Sequence, residues 1–194
     1  MVARLTMKSV ALVAFDRFTD IDLFLAWDLF SRVDIDGWRV QIVAPTARIT
    51  SSTGLTIDRH APLAAANEAD AVYFVSGMGS RALADDPAFA QTVKLDKSRQ
   101  ILAAVDSGAI LLAKLGHLRG RKATTYPTPD LHERLVALGA SVVDQALVIE
   151  GNVATAAQCL AGVDLVRWMI TRLSDVATAD RVIASVAHLP LPKG

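Results

Sequence analysis

Short apolar runs alternate with segments of helical spacing along most of the chain. The runs that predict strands are SVALVAF at 9–15, WRVQIVAP at 38–45, AVYFVSG at 71–77, ILAAV at 101–105, KATTYP at 122–127 and QALVIEGNVATAAQ at 145–158. Helices are predicted near 20–33, over 80–95, after ILAAV, after KATTYP and at the end of the chain. Strands that alternate with helices indicate a parallel sheet covered on both faces, where strands need not alternate apolar and polar residues. The segment 49–58 predicts a small inserted hairpin that turns at Gly54.

Length and charge narrow the class of protein. The chain has 194 residues, 52% of them hydrophobic, which predicts one well-buried domain over 1–194. Lys+Arg and Asp+Glu number 20 each, so no net field draws the protein to nucleic acid or to a membrane surface, and we expect a small-molecule or protein partner. A single cysteine fits a reducing compartment, and no apolar stretch approaches a membrane span, so the cytoplasm is expected.

Candidate chemistry is expected at the carboxyl ends of the strands, near positions 16, 45, 76, 106 and 126, because open α/β sheets bind ligands there. Asp106 stands at a sharp corner between ILAAV and a helix. It either caps that helix or projects into a site, as the nucleophile does on an elbow turn. In VSGMGS, Gly77 and Gly79 allow backbone N–H groups to approach a ligand, but the third glycine of a dinucleotide motif is absent.

Two further carboxylates lie in the segment TDIDLFLAWDLF. Asp22 shares a helix face with Leu25, Ala26 and Leu29, so burial is expected to raise the pKa of its carboxyl. Asp28 follows Phe24 and Leu25 by one turn. Each is either a functional acid or a structural hydrogen-bonding group.

The remaining candidates favour structural roles. His60, His117, His132 and His188 lack the spacing of a metal site. Cys159 precedes the apolar helix LAGVDLVRWMI, which predicts a small core residue. We therefore predict no metal and no cofactor, since two or three carboxylates are too few to indicate a hard cation.

Taken in order, the motifs resemble those of the ThiJ/PfpI superfamily, and within it the isonitrile hydratase-like branch. The segments that carry the resemblance are ALVAFDRFTDIDLFLAWDLFSRV, VAPTARITSSTGLTID, ADAVYFVSGMGSRAL, AAVDSGAILLAKLGHLRGRKATTYP and GNVATAAQCLAGVDLVRWMITRL. The resemblance implies a three-layer α/β sandwich with a mostly parallel central sheet flanked by helices, flavodoxin-like and similar to the class I glutamine amidotransferase domain. It also implies a homodimer.

The chain departs from the family pattern at its chemistry. Where the family's elbow carries a nucleophilic cysteine, this chain has Asp106, followed by Ser107 and Gly108. Tyr126 stands where many members have histidine, and Ser76-Gly77-Met78 replaces the usual Pro-Gly-Gly. The acidic residue that normally hydrogen-bonds the cysteine is retained as Asp22, and Asp28 matches a second acidic position.

The family fold would bring Asp22 and Asp106 to one pocket, where two close carboxyls should share a proton. We expect Asp106 to be ionised and Asp22 protonated. The predicted catalytic residues are Asp106, Asp22 and Ser107, and the predicted oxyanion or substrate residues are Gly77, Met78, Gly79, Tyr126 and Asp28.

Three functions are compatible with this pattern. The first is a divergent hydratase or hydrolase that acts on a small carbon–nitrogen compound. The second is a catalytically inactive binding or regulatory protein that keeps the pocket. The third, a protective or chaperone-like activity, ranks last because the superfamily's oxidisable cysteine is missing.

Overall fold

The computed structural model describes residues 8–187, so His188 and the two chain ends included in the domain prediction lie outside the described residues. The strands are β1 (Lys8–Val13), β2 (Trp38–Ala44), β3 (Arg48–Thr50), β4 (Thr56–Asp58), β5 (Ala61–Pro62), β6 (Ala71–Phe74), β7 (Ile101–Val105), β8 (Lys122–Ala123), β9 (Ser141–Val142), β10 (Leu147–Glu150) and β11 (Val153–Ala156). The helices are α1 (Asp20–Ser31), α2 (Ser80–Asp85), α3 (Pro87–Thr92), α4 (Ala109–Lys114), α5 (Pro129–Ala137), α6 (Gly162–Leu173) and α7 (Val176–Ala184).

Seven strands form the central sheet in the order β10-β11-β7-β6-β1-β2-β5. All neighbouring pairs are parallel except β10 with β11, which form an antiparallel hairpin at one edge. Every residue of β6 and β7 is buried, as expected for central strands covered on both faces.

Two groups of helices cover this sheet. Helix α1 packs against α6, which packs against α7, whereas α4 packs against α2 and α5. Both α4 and α6 contact β7, so one layer of helices lies on each side. The predicted three-layer sandwich with a mostly parallel sheet is confirmed. Within residues 8–187, no helix combines the length and apolar character needed to cross a membrane.

Three predicted elements differ from the structure. The run 145–158 forms the two antiparallel strands β10 and β11. The strand predicted over 122–127 is reduced to β8, which pairs with β9 in a separate two-stranded sheet. The helix predicted over 80–95 is two short helices, because Asp86 is extended before Pro87 and its side chain accepts a hydrogen bond from the N–H of Ala88 at 2.9 Å. Proline at the first position of a helix has no N–H to donate to a preceding turn, which favours a new helix start here.

The register of the sheet brings four strand ends to one edge. Val13 at the end of β1 pairs with Phe74 at the end of β6, and Val105 at the end of β7 pairs with Ala156 at the end of β11. Phe74 also pairs with Ala104. The segments that follow β1, β6, β7 and β11 therefore emerge side by side, and they build the candidate site.

Candidate functional site

Asp106 forms the corner between β7 and α4. Its φ of 53° lies in the left-handed region, which residues other than glycine seldom adopt, although aspartate tolerates it better than most. The Thr125 hydroxyl donates to the Asp106 carbonyl oxygen at 2.8 Å, and the Ser107 N–H donates to the Asp106 carboxylate. The predicted sharp strand-to-helix corner is confirmed, and it projects a carboxylate where an elbow turn projects a nucleophile.

Asp22 is positioned by the buried face of α1. Its side chain is 1% exposed and shares that face with Ala26 and Leu29, so the predicted burial is confirmed. The hydroxyl of Ser76 donates to Asp22 Oδ2. The other oxygen, Oδ1, is buried and has no hydrogen-bond partner among residues 8–187.

The thiol of Cys159 lies close to the carboxylates of Asp22 and Asp106. One carboxylate oxygen each from Asp22 and Asp106 and the Sγ of Cys159 lie within 4.8 Å of one another. The prediction that Cys159 is a core residue is wrong, because its side chain is partly exposed. Cys159 lies beyond the carboxyl end of β11, and this end is beside the carboxyl end of β7, where Asp106 follows. The position of Cys159 three residues after the end of β11 was the signal for its place in the site.

All three acidic groups in this cluster resist ionisation. Burial raises the pKa of the Asp22 carboxyl, although contacts with Ser76 and Cys159 act in the opposite direction. Burial also raises the pKa of Asp106 to about 6, and the charge of Asp22 adds to this rise while the Ser107 N–H and Arg81 oppose it. The pKa of the Cys159 thiol is raised by burial, and by both carboxylates, to about 12. The cluster therefore contains more acid groups than it can ionise together.

The same three side chains are the group of possible metal donors within residues 8–187. Thiolate and carboxylate ligands together suit Zn²⁺ better than they suit Mg²⁺ or Ca²⁺. The chemistry proposed below requires no cation, because a proton shared between the carboxyls also relieves their repulsion.

A cavity of about 260 Å³ opens above Asp106. It is lined by Thr19, Ser76, Gly77, Met78, Arg81, Asp106, Ser107, Tyr126, Thr128 and Leu131. Five of the predicted site residues are in this lining: Asp106, Ser107, Gly77, Met78 and Tyr126. Asp22 is not, but it is hydrogen-bonded to Ser76, which lines the cavity, and has a carboxylate oxygen within 4.8 Å of one from Asp106. Ser76 was named in the sequence only as part of Ser76-Gly77-Met78, without a role of its own. Arg81 and Thr128 were not singled out, since each is a common residue type in a loop or at a helix start.

The backbone N–H groups near Asp106 already have acceptors. The Gly77 N–H donates to Ser107 Oγ at 3.0 Å, and the Ser107 hydroxyl is 3.2 Å from the Gly77 carbonyl oxygen. The Ser107 N–H is used by the Asp106 carboxylate. The role predicted for these residues in stabilising developing charge therefore requires a substrate to displace internal hydrogen bonds.

Two predicted site residues lie outside the cavity lining. Asp28 pairs with Arg32 at 2.8 Å at the surface, because six residues of helix separate it from Asp22 and place the two side chains about 120° apart around the axis. Gly79 packs against the chain before α1 instead, where a Cβ would collide with the Asp16 carbonyl oxygen. Its lack of a side chain serves close packing.

Comparison with known proteins identifies relatives for most of the chain. The sequence profile of the DJ-1/PfpI family matches residues 8–172. An uncharacterised protein of Methanocaldococcus jannaschii is 30% identical over 154 residues, which are 77% of this chain and 74% of that protein. The isonitrile hydratase of Pseudomonas putida is 29% identical over 148 residues, 74% of this chain and 63% of that enzyme.

Solved structures share the fold. A ThiJ/PfpI family protein from Pseudomonas syringae superimposes with a TM-score of 0.84 at 24% identity, over 98% of this chain and 80% of that one. Drosophila melanogaster DJ-1beta superimposes with a TM-score of 0.81 at 21% identity, over 94% of this chain and 100% of that one. At these identities the likeness concerns the architecture alone.

Proposed function

The chain belongs to the DJ-1/PfpI family, and on that basis we propose that it hydrates a small isonitrile or a related carbon–nitrogen compound, using the carboxyl pair of Asp106 and Asp22. The observation that carries the proposal is the position of Asp106. Its carboxylate stands on the elbow, faces the cavity, and has an oxygen within 4.8 Å of one from Asp22.

The environments of the two carboxyls support different roles. Asp22 is almost fully buried and one of its oxygens has no partner within residues 8–187, so protonation is the cheaper state for it. Asp106 is partly exposed and its carboxylate accepts the Ser107 N–H, which favours its ionised form. Asp106 is thus the base of the pair and Asp22 the acid.

The proposed reaction adds water across the isonitrile carbon. When Asp22 is protonated on Oδ2, the hydrogen bond to Ser76 reverses: Oδ2–H donates to Ser76 Oγ, and the Ser76 hydroxyl turns to the cavity that it lines. Ser76 then gives its proton to the terminal carbon of R–N≡C and takes the proton of Asp22. Asp106 takes a proton from a water molecule while the oxygen of that water bonds to the same carbon. The product, R–N=CH–OH, tautomerises to the formamide R–NH–CHO. Asp106 is then protonated and Asp22 ionised, and proton return between the neighbouring carboxyls restores the starting state.

This route differs from attack by a thiolate. A carboxylate is a weak nucleophile compared with a thiolate, so activation of water suits Asp106 better than formation of a covalent intermediate. Cys159 does not take over as nucleophile, since burial and the two neighbouring carboxyls raise the pKa of its thiol to about 12 and keep it protonated.

The test is hydration of cyclohexyl isonitrile and para-nitrophenyl isonitrile, with the N-formamide product measured by chromatography. Asp106→Asn should lower turnover at least about a hundredfold, because removal of a general base costs that much. Asp28→Asn is the matched control and should retain full turnover, since Asp28 pairs with Arg32 at the surface. Unchanged turnover in Asp106→Asn would refute the proposal.

One observation favours a second function, ligand binding without turnover. The N–H groups of Gly77 and Ser107 are both occupied by internal acceptors, as in a pocket that no longer stabilises an oxyanion. An Asp106→Cys variant separates the two functions. If the natural protein is inert and this variant hydrates isonitriles, the pocket is an intact scaffold whose present role is binding.

A further inference from the structure

Arg81 contributes a charged side chain to the lining of the cavity. Among the described residues that line it, Arg81 carries the one positive charge. Its Nε donates to Asp130 Oδ2 at 2.7 Å, and its side chain is 27% exposed against 52% for Asp130. Asp130 therefore holds the guanidinium from the solvent side. The other N–H groups of Arg81 have no hydrogen bond to any residue in 8–187.

Thr128 contributes an unused hydroxyl to the same cavity. Its Oγ1 is buried and has no hydrogen-bond partner within the described part of the chain. Thr128 is the N-cap residue of α5, yet its side chain does not cap the helix, although a threonine in this position ordinarily accepts a backbone N–H. Buried polar atoms without partners are rare in folded proteins, so this hydroxyl is available to a water molecule or to a polar ligand in the cavity.

The polar residues that line the cavity form two groups. Asp106 and Ser76 mark the position of the chemistry, whereas Arg81 and Thr128 are donors that the reaction above does not use. Met78, Tyr126 and Leu131 supply apolar surface. A volume of about 260 Å³ lies just below the usual range for drug-sized ligands. The cavity thus suits a compact molecule with a polar group at each of two places.

We propose that Arg81 and Thr128 bind an anionic group, of the carboxylate class, on the substrate whose carbon–nitrogen bond lies at Asp106. The inference rests on the proposed function and names its substrate class. A guanidinium whose Nε is anchored presents its remaining N–H groups in a fixed plane that matches the two oxygens of a carboxylate. The Thr128 hydroxyl donates a further hydrogen bond.

The kinetic test compares isocyanoacetate with its methyl ester, which has the same isonitrile but no charge. Arg81→Ala should raise KM for isocyanoacetate by roughly tenfold to a hundredfold, the range for loss of a hydrogen bond to a charged group. The kcat/KM for the ester should stay within about twofold. Arg81→Lys should fall between, since lysine keeps the charge but not the planar fork, and Thr128→Val should cost about threefold to tenfold for isocyanoacetate alone.

Arg134→Ala is the matched control. Arg134 donates to the same partner, Asp130, at 3.2 Å, but it is not part of the cavity lining. A role of Arg81 in fold stability alone would make the two alanine variants behave alike. An action of Arg81 on Asp106 alone would lower kcat equally for both substrates. Either result overturns the proposal.

A binding measurement makes the anion site testable without turnover. N-formylglycine and its methyl ester, the formamides that correspond to the two substrates, are titrated by calorimetry into the natural protein and Arg81→Ala. The acid should bind at least about tenfold more tightly than the ester, and Arg81→Ala should remove this preference. Equal binding of acid and ester refutes the anion site even if hydration occurs. Selective binding without turnover refutes the hydratase and supports the anion site.

Discussion

Asp106 is held by its backbone in a conformation that few residues adopt. Its φ of 53° costs free energy for any side chain with a Cβ, and the strain is maintained by the buried strand before it and by the Thr125 hydroxyl bonded to its carbonyl oxygen. Strain of this kind concentrates at functional positions. A carboxylate that only capped a helix would not need it, which favours a role for Asp106 in the site.

Coupling between Asp22 and Asp106 is a prediction at the scale of single residues. Burial is the largest cause of the raised pKa of Asp106; Asp22 raises it further from the side of α1, whereas Ser107 and Arg81 lower it, and Cys159 is a third acid of the same cluster. The two carboxyls share one proton, and Asp106 is harder to ionise in the state in which Asp22 has already lost its own proton; Asp22→Asn removes that state, so the pKa of Asp106 should fall below about 6. We expect carbon-detected NMR titration of the Asp106 carboxyl to show this shift, and a corresponding shift in the pH dependence of turnover.

The sign of that pH dependence follows from the role of Asp106 as a base. Turnover in the natural protein should rise as pH increases through about 6, because Asp106 must be ionised to accept a proton from water. In Asp22→Asn the midpoint moves to lower pH, with a lower maximum because the proton donor is lost. If the Asp106 titration is the same in both proteins, the carboxyls do not form a coupled pair.

At the scale of elements, the elbow depends on the close approach of α4 to β6. Gly108 has an ordinary helical backbone, but a Cβ there would lie 2.6 Å from the carbonyl oxygens of Phe74 and Val75. Gly108→Ala should therefore destabilise the protein by about 2 to 3 kcal/mol, measured by urea unfolding. Gly116→Ala is the control: with open space around a φ of 81°, it should cost only about 1 kcal/mol. A larger loss at Gly116 would contradict the packing argument.

The elements themselves were mostly predictable, because each depends on local sequence. The apolar runs locate β1, β2, β6 and β7, and the hairpin turns at Gly54 as expected. The sequence also indicated the corner at Asp106 and the buried face of α1. The errors arose where a local signal was weak or overlooked, as at Pro87, which divides the predicted helix, and in KATTYP, where only two residues pair.

At the scale of the whole molecule, the site depends on strand order, which local patterns do not contain. Cys159 reaches the carboxylates because β11 lies beside β7 in the sheet although long segments separate them in the chain. Arg81 and Asp130 also meet through tertiary packing, since the helices that begin next to them, α2 and α5, both pack against α4. The family resemblance predicted the pairing of Asp22 with Asp106, but it offered no pattern for a thiol or an arginine at these positions.

Homodimerisation is the remaining prediction at this scale. Ile21 and Leu160 are 44% and 72% exposed, and they are the chain neighbours of Asp22 and Cys159, whose side chains meet in the cluster. Two large apolar side chains are thus exposed at the start of α1 and just before α6, which pack together. The formal net charge is +0, so repulsion between the charges of two copies does not oppose their association. We expect a second copy to cover this surface.

Light scattering should therefore give twice the mass of the chain. Leu160→Asp should shift the protein toward monomer, because a two-fold interface buries the side chain twice and each burial contributes about 1.5 to 3 kcal/mol. Val136→Asp is the matched control: Val136 is 58% exposed on α5, in the other helix layer, and its substitution should leave the dimer intact. A monomeric natural protein, or equal effects of both variants, would place any contact between copies elsewhere. Since the surface adjoins the cluster, dissociation by Leu160→Asp should also increase the access of thiol reagents to Cys159.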